Sequence, residues 1–239
     1  MIKIRSVKLG DLPVVGGYVI KYKRSAMHED IDFYSNKSSN TLFVLLSGIT
    51  GGKDELLIKY LEGALKSRGS VLRVQFANDP TYHSDTLPDI TKMSFEHCFS
   101  CMDRAFEIAS GTKHYSNIIF VAHSFSAVIA TYYLGLHKPI NSLPPRYTLV
   151  VVDSDPSPRL LEVLDIQGEE SFSDHAENPF HSDVMQYMRE HDSAALLETL
   201  PATVIKIDAS VLGVDHEFTA EESKRRLLNE ILKNLRSAL

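Results

Sequence analysis

The chain has 239 residues, of which 44% are apolar and 23% charged, and a formal net charge of −6. That length fits one large α/β domain or two small ones, able to bury a sizeable core without disulfides or a structural metal. The acidic balance and the lack of a basic block speak against a nucleic-acid-binding face, and two cysteines do not make a secreted disulfide scaffold. No apolar stretch approaches the roughly 18 residues of a membrane span. Met1 to Val7 lacks a charged segment followed by a long apolar run, so no signal peptide is expected and a cytoplasmic protein is.

In chain order, Ile2 to Val7 and Gly16 to Lys23 alternate apolar and polar residues, predicting half-buried antiparallel strands. Ser25 to Asn40 is polar and reads as a connecting loop. Thr41 to Leu46 is a continuous apolar run, as a strand buried on both faces requires, and it ends in Ser47-Gly-Ile-Thr-Gly-Gly52. Lys53 to Ser67 carries Leu56, Leu57, Tyr60, Leu61 and Leu65 at helical spacing, and Arg68-Gly69 closes it. Val71 to Phe76 is the next strand, and Ala77 to Lys92 a loop. Met93 to Ser110 predicts a helix stopped by Gly111; its Cys98 and Cys101 lack the second pair a zinc site needs and read as small core residues.

Asn117 to Tyr133 predicts strand, sharp turn and helix, with Ser124 at the apex. Tyr147 to Val152 is another buried strand, ending in Asp153-Ser-Asp-Pro-Ser-Pro158. From Arg159 to Leu200 the alternation of strands and helices stops. This stretch, with a helix over about 182–200, is too long for a plain connection. It reads as an insertion capping the site, or as an ordinary peripheral helix pair. Thr203 to Ile207 is the last strand, Gly213 to Thr219 a loop, and Ala220 to Leu239 a helix whose leucines lie on one side. Such alternation predicts a single α/β domain over residues 1–239: a mostly parallel central sheet flanked by helices, with a helical cap insertion at about 159–200.

Ligands of parallel sheets bind beyond the carboxyl ends of the strands. Ser47-Gly48, Ser124 and Asp153 all fall there. A hydroxyl at a strand-to-helix apex, flanked two residues away by the small Ala122 and Ser126, follows the logic of an exposed nucleophile, although the usual flanks are glycines. A serine that merely caps the helix is the competing reading. A serine nucleophile needs a base within hydrogen-bond reach. Of ten histidines, His216 follows the last strand in a short loop at the same sheet edge, whereas His123 adjoins Ser124 but points elsewhere. The carboxylate that orients the base is Asp153, then Asp155, then Asp208, in order of preference; Asp215 adjoins His216 and points away from its ring. Oxyanion donors would be the backbone N–H of Phe125 and that of Ile49, with Thr50 second, in a loop whose glycines allow close approach. That loop lacks the ending of a phosphate-binding loop, and no dinucleotide fingerprint follows any strand.

On Leu45-Leu-Ser-Gly-Ile-Thr-Gly-Gly52, Val121-Ala-His-Ser-Phe-Ser-Ala127, Gly213-Val-Asp-His216 and the order Ser, Asp, His, the chain resembles the α/β-hydrolase superfamily. The resemblance spans most of the sequence. It implies an eight-stranded sheet or a reduced version, with a cap after the sixth strand. The loop opens Ser-Gly rather than His-Gly, the elbow lacks both glycines, and the usual acid-bearing strand after the cap is missing, which moves the acid to the sixth strand. The implied activity is hydrolysis of a carboxylic ester or thioester of a small-molecule acyl substrate through an acyl-enzyme on Ser124, with no cofactor and no metal. A non-catalytic binding protein, or a cofactor-free lyase or oxygenase on the same scaffold, are the alternatives.

Overall fold

The structure, a computed structural model, describes residues 17–23, 30–48, 52–76, 94–137, 146–154 and 182–238. Its strands are β1 (Gly17–Lys23), β2 (Asp30–Asn36), β3 (Thr41–Leu46), β4 (Ser70–Val74), β5 (Asn117–His123), β6 (Arg146–Val152) and β7 (Thr203–Ile207). They form one sheet in the order β1-β2-β4-β3-β5-β6-β7. β1 and β2, and β2 and β4, pair antiparallel; from β4 to β7 every pairing is parallel.

Residues 25–40, expected as a loop, contain β2 instead. Its alternation is masked by a charge. Ile31 and Phe33 enter the core, while Asp32 between them is also buried, because Lys53 and Arg73 meet its carboxylate. A buried charge is tolerated when it is paired and hydrogen-bonded, so the strand reads as polar without being exposed. The expected strand at Ile2 to Val7 lies outside the described residues.

Helices α1 (Leu56–Leu65), α2 (Phe95–Ser110), α3 (Ser126–Tyr132, continued by one π turn at Tyr133–His137), α4 (Ser182–Glu190), α5 (Ser193–Glu198), α6 (Ala209–Leu212) and α7 (Glu221–Ala238) complete the described part. Alternate residues of the central strands face opposite ways. Leu42, Val44, Leu46, Ile118, Phe120, Leu149 and Val151 meet α2 and α3 on one face. On the other, Phe43, Leu45, Val121, Val150 and Ile205 meet Leu57, Ile58 and Leu61 of α1 and Leu227, Ile231 and Leu235 of α7. The leucine side of the C-terminal helix therefore packs on the sheet. Cys98 and Cys101 are buried in the first of these cores.

The helix expected over 182–200 is two helices. Asp192 interrupts it, and its Oδ1 accepts the N–H groups of Ala194 at 2.9 Å and Ala195 at 3.1 Å, capping α5. Val184, Met188 and Leu197 anchor both helices in the core under α3, and the Tyr132 hydroxyl donates to the His191 carbonyl at 2.7 Å. Residues 159–181 of the expected insertion lie outside the described residues. Among the described residues, no helix is long and apolar enough to cross a membrane.

Candidate active site

β5 delivers its last residue, His123, to a turn whose apex is Ser124 at φ 55°. This left-handed backbone disfavours most side chains. The turn is held from both sides: Ser124 N–H donates to the Val152 carbonyl at 2.9 Å, and the Ser126 hydroxyl donates to the carbonyls of His123 at 2.8 Å and Leu46 at 3.1 Å. Ala122 and Ser126 are both buried. The flanks are thus small without being glycine, and Ser126 fills its place with a hydroxyl that ties the elbow to the end of β3.

Asp153 follows β6, the strand next to β5, and also has a positive φ, 45°. Its N–H donates to the Ile207 carbonyl at 2.7 Å, and its Oδ1 accepts the N–H of Ala209 at 2.9 Å. Its Oδ2 is left to accept the Nδ1–H of His216. The other ring nitrogen, Nε2, lies 3.1 Å from Ser124 Oγ. A proton on Nδ1 leaves Nε2 bare, which is the tautomer that can accept from the serine hydroxyl.

The loop that presents His216 is shaped by three backbone features. Gly213, at φ 66°, closes α6. Phe218, at φ 48°, is fully buried and donates its N–H to the Asp215 carbonyl at 3.2 Å. Asp215 turns to the N–H of Thr219 at 3.1 Å, a bond that holds its carboxyl below the usual range and points it away from His216. Asp208 caps α6 through the N–H of Ser210 at 2.7 Å and the Ser210 hydroxyl at 2.6 Å, so its carboxylate is engaged there. Asp155, Ile49 and Thr50 lie outside the described residues. The described start of their loop does reach the site: a Cβ on Gly48 would stand 3.5 Å from Ser124 Cβ and from His123 Nδ1.

His123 does not contact the Ser124 hydroxyl. It is buried, its Nε2–H donates to the carbonyl of His216 at 2.9 Å, and its ring centroid lies 4.8 Å from that of His216. Burial lowers its pKa. Glu55, just before α1, reaches toward it, with Oε1 3.9 Å from His123 Nδ1. Burial, then the charge of Glu217, raises the Glu55 carboxyl to about 7. Nothing in the sequence distinguishes Glu55 from any acidic residue at the start of a helix, and only the fold brings it here.

Three further histidines have other occupations. His137 binds Asp103 Oδ2 at 2.7 Å and stacks on Phe99, His97 Nε2 lies 3.4 Å from the sulfur of Cys101, and the ring of His191 packs on Tyr187. His28, His83, His175 and His181 lie outside the described residues. Among the described residues, no three His, Cys, Asp or Glu side chains are grouped so as to hold a metal ion.

No protein-family model and no curated protein matches this sequence. Solved structures do match. Est1E from Butyrivibrio proteoclasticus is 12% identical, with 90% of this chain and 99% of that one covered and a TM-score of 0.56. A putative hydrolase from Agrobacterium vitis S4 is 12% identical over 91% and 97%, also at 0.56. Alpha/beta hydrolase domain-containing protein 10 from mouse is 9% identical over 92% and 99%, again at 0.56. Identities this low speak for the fold alone. Five mutually parallel strands with helices on both faces, aligned over nearly the full length of such proteins, give this chain the α/β-hydrolase fold.

Proposed function

We propose that the protein is a serine hydrolase that cleaves a carboxylic ester or thioester of a small-molecule acyl substrate. The observation that carries this reading is the continuous hydrogen-bonded line from Ser124 Oγ through both nitrogens of His216 to Asp153 Oδ2. Its members come from three separate segments of the chain and meet at the carboxyl edge of the sheet. In this reading Ser124 Oγ attacks the acyl carbon and passes its proton to His216 Nε2. Asp153 stabilises the resulting imidazolium and keeps the ring in its tautomer. His216 then protonates the departing alkoxide or thiolate as the acyl–oxygen or acyl–sulfur bond breaks. Water, deprotonated by the same nitrogen, hydrolyses the acyl-enzyme.

The backbone N–H of Phe125 and that of Ile49 are assigned to the oxyanion; losing one such donor costs about 3 kcal/mol of transition-state stabilisation. A Pyrococcus furiosus esterase among the structural likenesses, 13% identical at a TM-score of 0.51, agrees with this chemistry. The missing elbow glycines do not favour a binding-only role, because Ala122 and Ser126 supply the small, buried flanks that the turn needs.

Labelling with a fluorophosphonate probe, followed by turnover of short p-nitrophenyl esters, tests the proposal. Wild type is expected to label and turn over, Ser124→Ala to do neither, and His216→Ala to lose turnover. Labelling that persists in Ser124→Ala sinks it.

A further inference from the structure

Glu55 and His123 are buried polar groups that the chemistry above does not use. Glu55 occupies the position before α1, where its side chain makes no capping bond, and turns toward β5 instead. Glu55 Oε2 and His123 Nδ1 are sealed from solvent and have no hydrogen-bond partner. The other ring nitrogen of His123 meets the carbonyl of His216 at 2.9 Å. A carbonyl only accepts, so Nε2 carries a proton; in the neutral ring, which burial favours, Nδ1 is then a bare acceptor facing a carboxyl group 3.9 Å away. An ionised carboxylate, with Oε1 toward the bare Nδ1 and Oε2 unpartnered, would be unfavourable in so buried a site. One proton between the carboxylate and the ring, with a shift of about 1 Å, satisfies both.

We propose that Glu55 and His123 share a single proton and are positioning residues for His216: the Glu55 O–H serves His123 Nδ1, and His123 Nε2–H holds the His216 backbone so that its ring stays between Asp153 and Ser124. This rests on the hydrolase reading, and the test below separates the two. The charged surroundings agree on where the proton resides. Burial and Glu217 raise Glu55, against a smaller opposing effect of His216. Burial and the charge of His216 lower His123, against smaller effects of its hydrogen bond to the His216 carbonyl, then of Glu217 and Asp153. The proton therefore belongs to the carboxyl. Below a pH of about 7 the pair is intact; above it Glu55 ionises and the brace on His216 weakens.

The pairing can be read without turnover, by 15N NMR of histidine-labelled protein between about pH 5.5 and 8.5. His123 Nε2 is expected to stay protonated throughout. Its Nδ1 resonance should move toward that of an unbonded nitrogen as Glu55 ionises, and should stay still in Glu55→Gln, whose amide donates but does not titrate. In ester hydrolysis, Glu55→Ala and His123→Phe are expected to lower kcat about tenfold with KM little changed. Glu55→Gln should recover most of that loss and abolish the decline in kcat above neutral pH.

A His123 Nδ1 signal that stays still in wild type, or moves equally in Glu55→Gln, overturns the proposal even if the protein hydrolyses esters. So does wild-type kcat in Glu55→Ala. A Glu55-dependent shift of Nδ1 in a protein that fails fluorophosphonate labelling supports the pairing and sinks the hydrolase reading alone.

Discussion

The N–H of Ser124 donates to the carbonyl of Val152 at 2.9 Å, joining the elbow to the residue that immediately precedes Asp153. The two ends of the Ser-His-Asp line thus leave adjacent strands and are tied through the backbone. Both ends have left-handed φ angles, 55° and 45°, on residues that are not glycine. Such positions cost on the order of 1–3 kcal/mol each and persist only where the surroundings enforce them.

Ser124→Gly should relieve part of that strain, while Ser124→Ala keeps it. Glycine's greater unfolded-state entropy offsets some of the gain, so a net difference of about 1 kcal/mol is expected. Ser124→Gly should then melt roughly 2–4 °C above Ser124→Ala, although neither labels with a fluorophosphonate. Equal melting temperatures by calorimetry would show that the strain at Ser124 is no larger than the entropic cost of glycine.

Asp153 and Asp208 sit at the carboxyl ends of adjacent parallel strands, and either could have been the partner of His216. The bonds differ: Asp153 Oδ2 faces His216, whereas Asp208 is occupied by Ser210. Asp153→Asn, which preserves shape but loses the charge and favours the wrong imidazole tautomer, should lower kcat about 10³- to 10⁴-fold. Asp208→Asn, with the α6 cap largely retained, should leave kcat little changed. Comparable losses in both variants would argue against the assignment of the acid.

The parallel half of the sheet was legible because strands buried on both faces carry unbroken apolar runs, as Thr41–Leu46 and Tyr147–Val152 do. The approach of Ser124, His216 and Asp153 was also legible, since all three lie just past strand ends on one sheet edge. Where polarity stood for something other than exposure, the sequence misled. Asp32 makes β2 look like a loop because its partners, Lys53 and Arg73, are 21 and 41 residues away. Asp192 looked like an ordinary mid-helix residue and is a cap. Glu55 carried no pattern at all, because its relation to His123 exists only once α1 has docked on β3 and β4.

Glu55 also makes stability depend on pH. Its folded-state pKa of about 7 exceeds the ordinary 4.5, so the folded protein binds more protons than the unfolded chain between those values. Stability from this group is fully present below about pH 4.5 and is lost as pH rises through 7. The loss is on the order of 3 kcal/mol. Urea denaturation at about pH 5 and pH 8 should show wild type losing stability relative to Glu55→Gln as pH rises. A constant difference between the two proteins would mean that Glu55 does not titrate in this interval.

The ion cluster of Asp32, Lys53 and Arg73 gives a last prediction. Arg73 and Lys53 converge on Asp32 Oδ2, and all three side chains are less than a tenth exposed. Arg73 also donates from Nη1 to the carbonyl of Lys53 at 2.7 Å, directly after the loop to which Ile49 belongs. Arg73→Met leaves Asp32 with one cation and removes the bond to the Lys53 carbonyl. Breaking a buried pair on one side costs about 3–5 kcal/mol, whereas replacing both partners by apolar residues is often close to neutral. Arg73→Met should therefore be destabilised in urea, and the triple variant Asp32→Leu/Lys53→Met/Arg73→Met, which removes the whole cluster, should regain part of that stability. Ester turnover should fall in both, because neither restores the anchor on the Lys53 carbonyl. If folded Arg73→Met hydrolyses esters at the wild-type rate, the cluster holds the sheet together without positioning the loop.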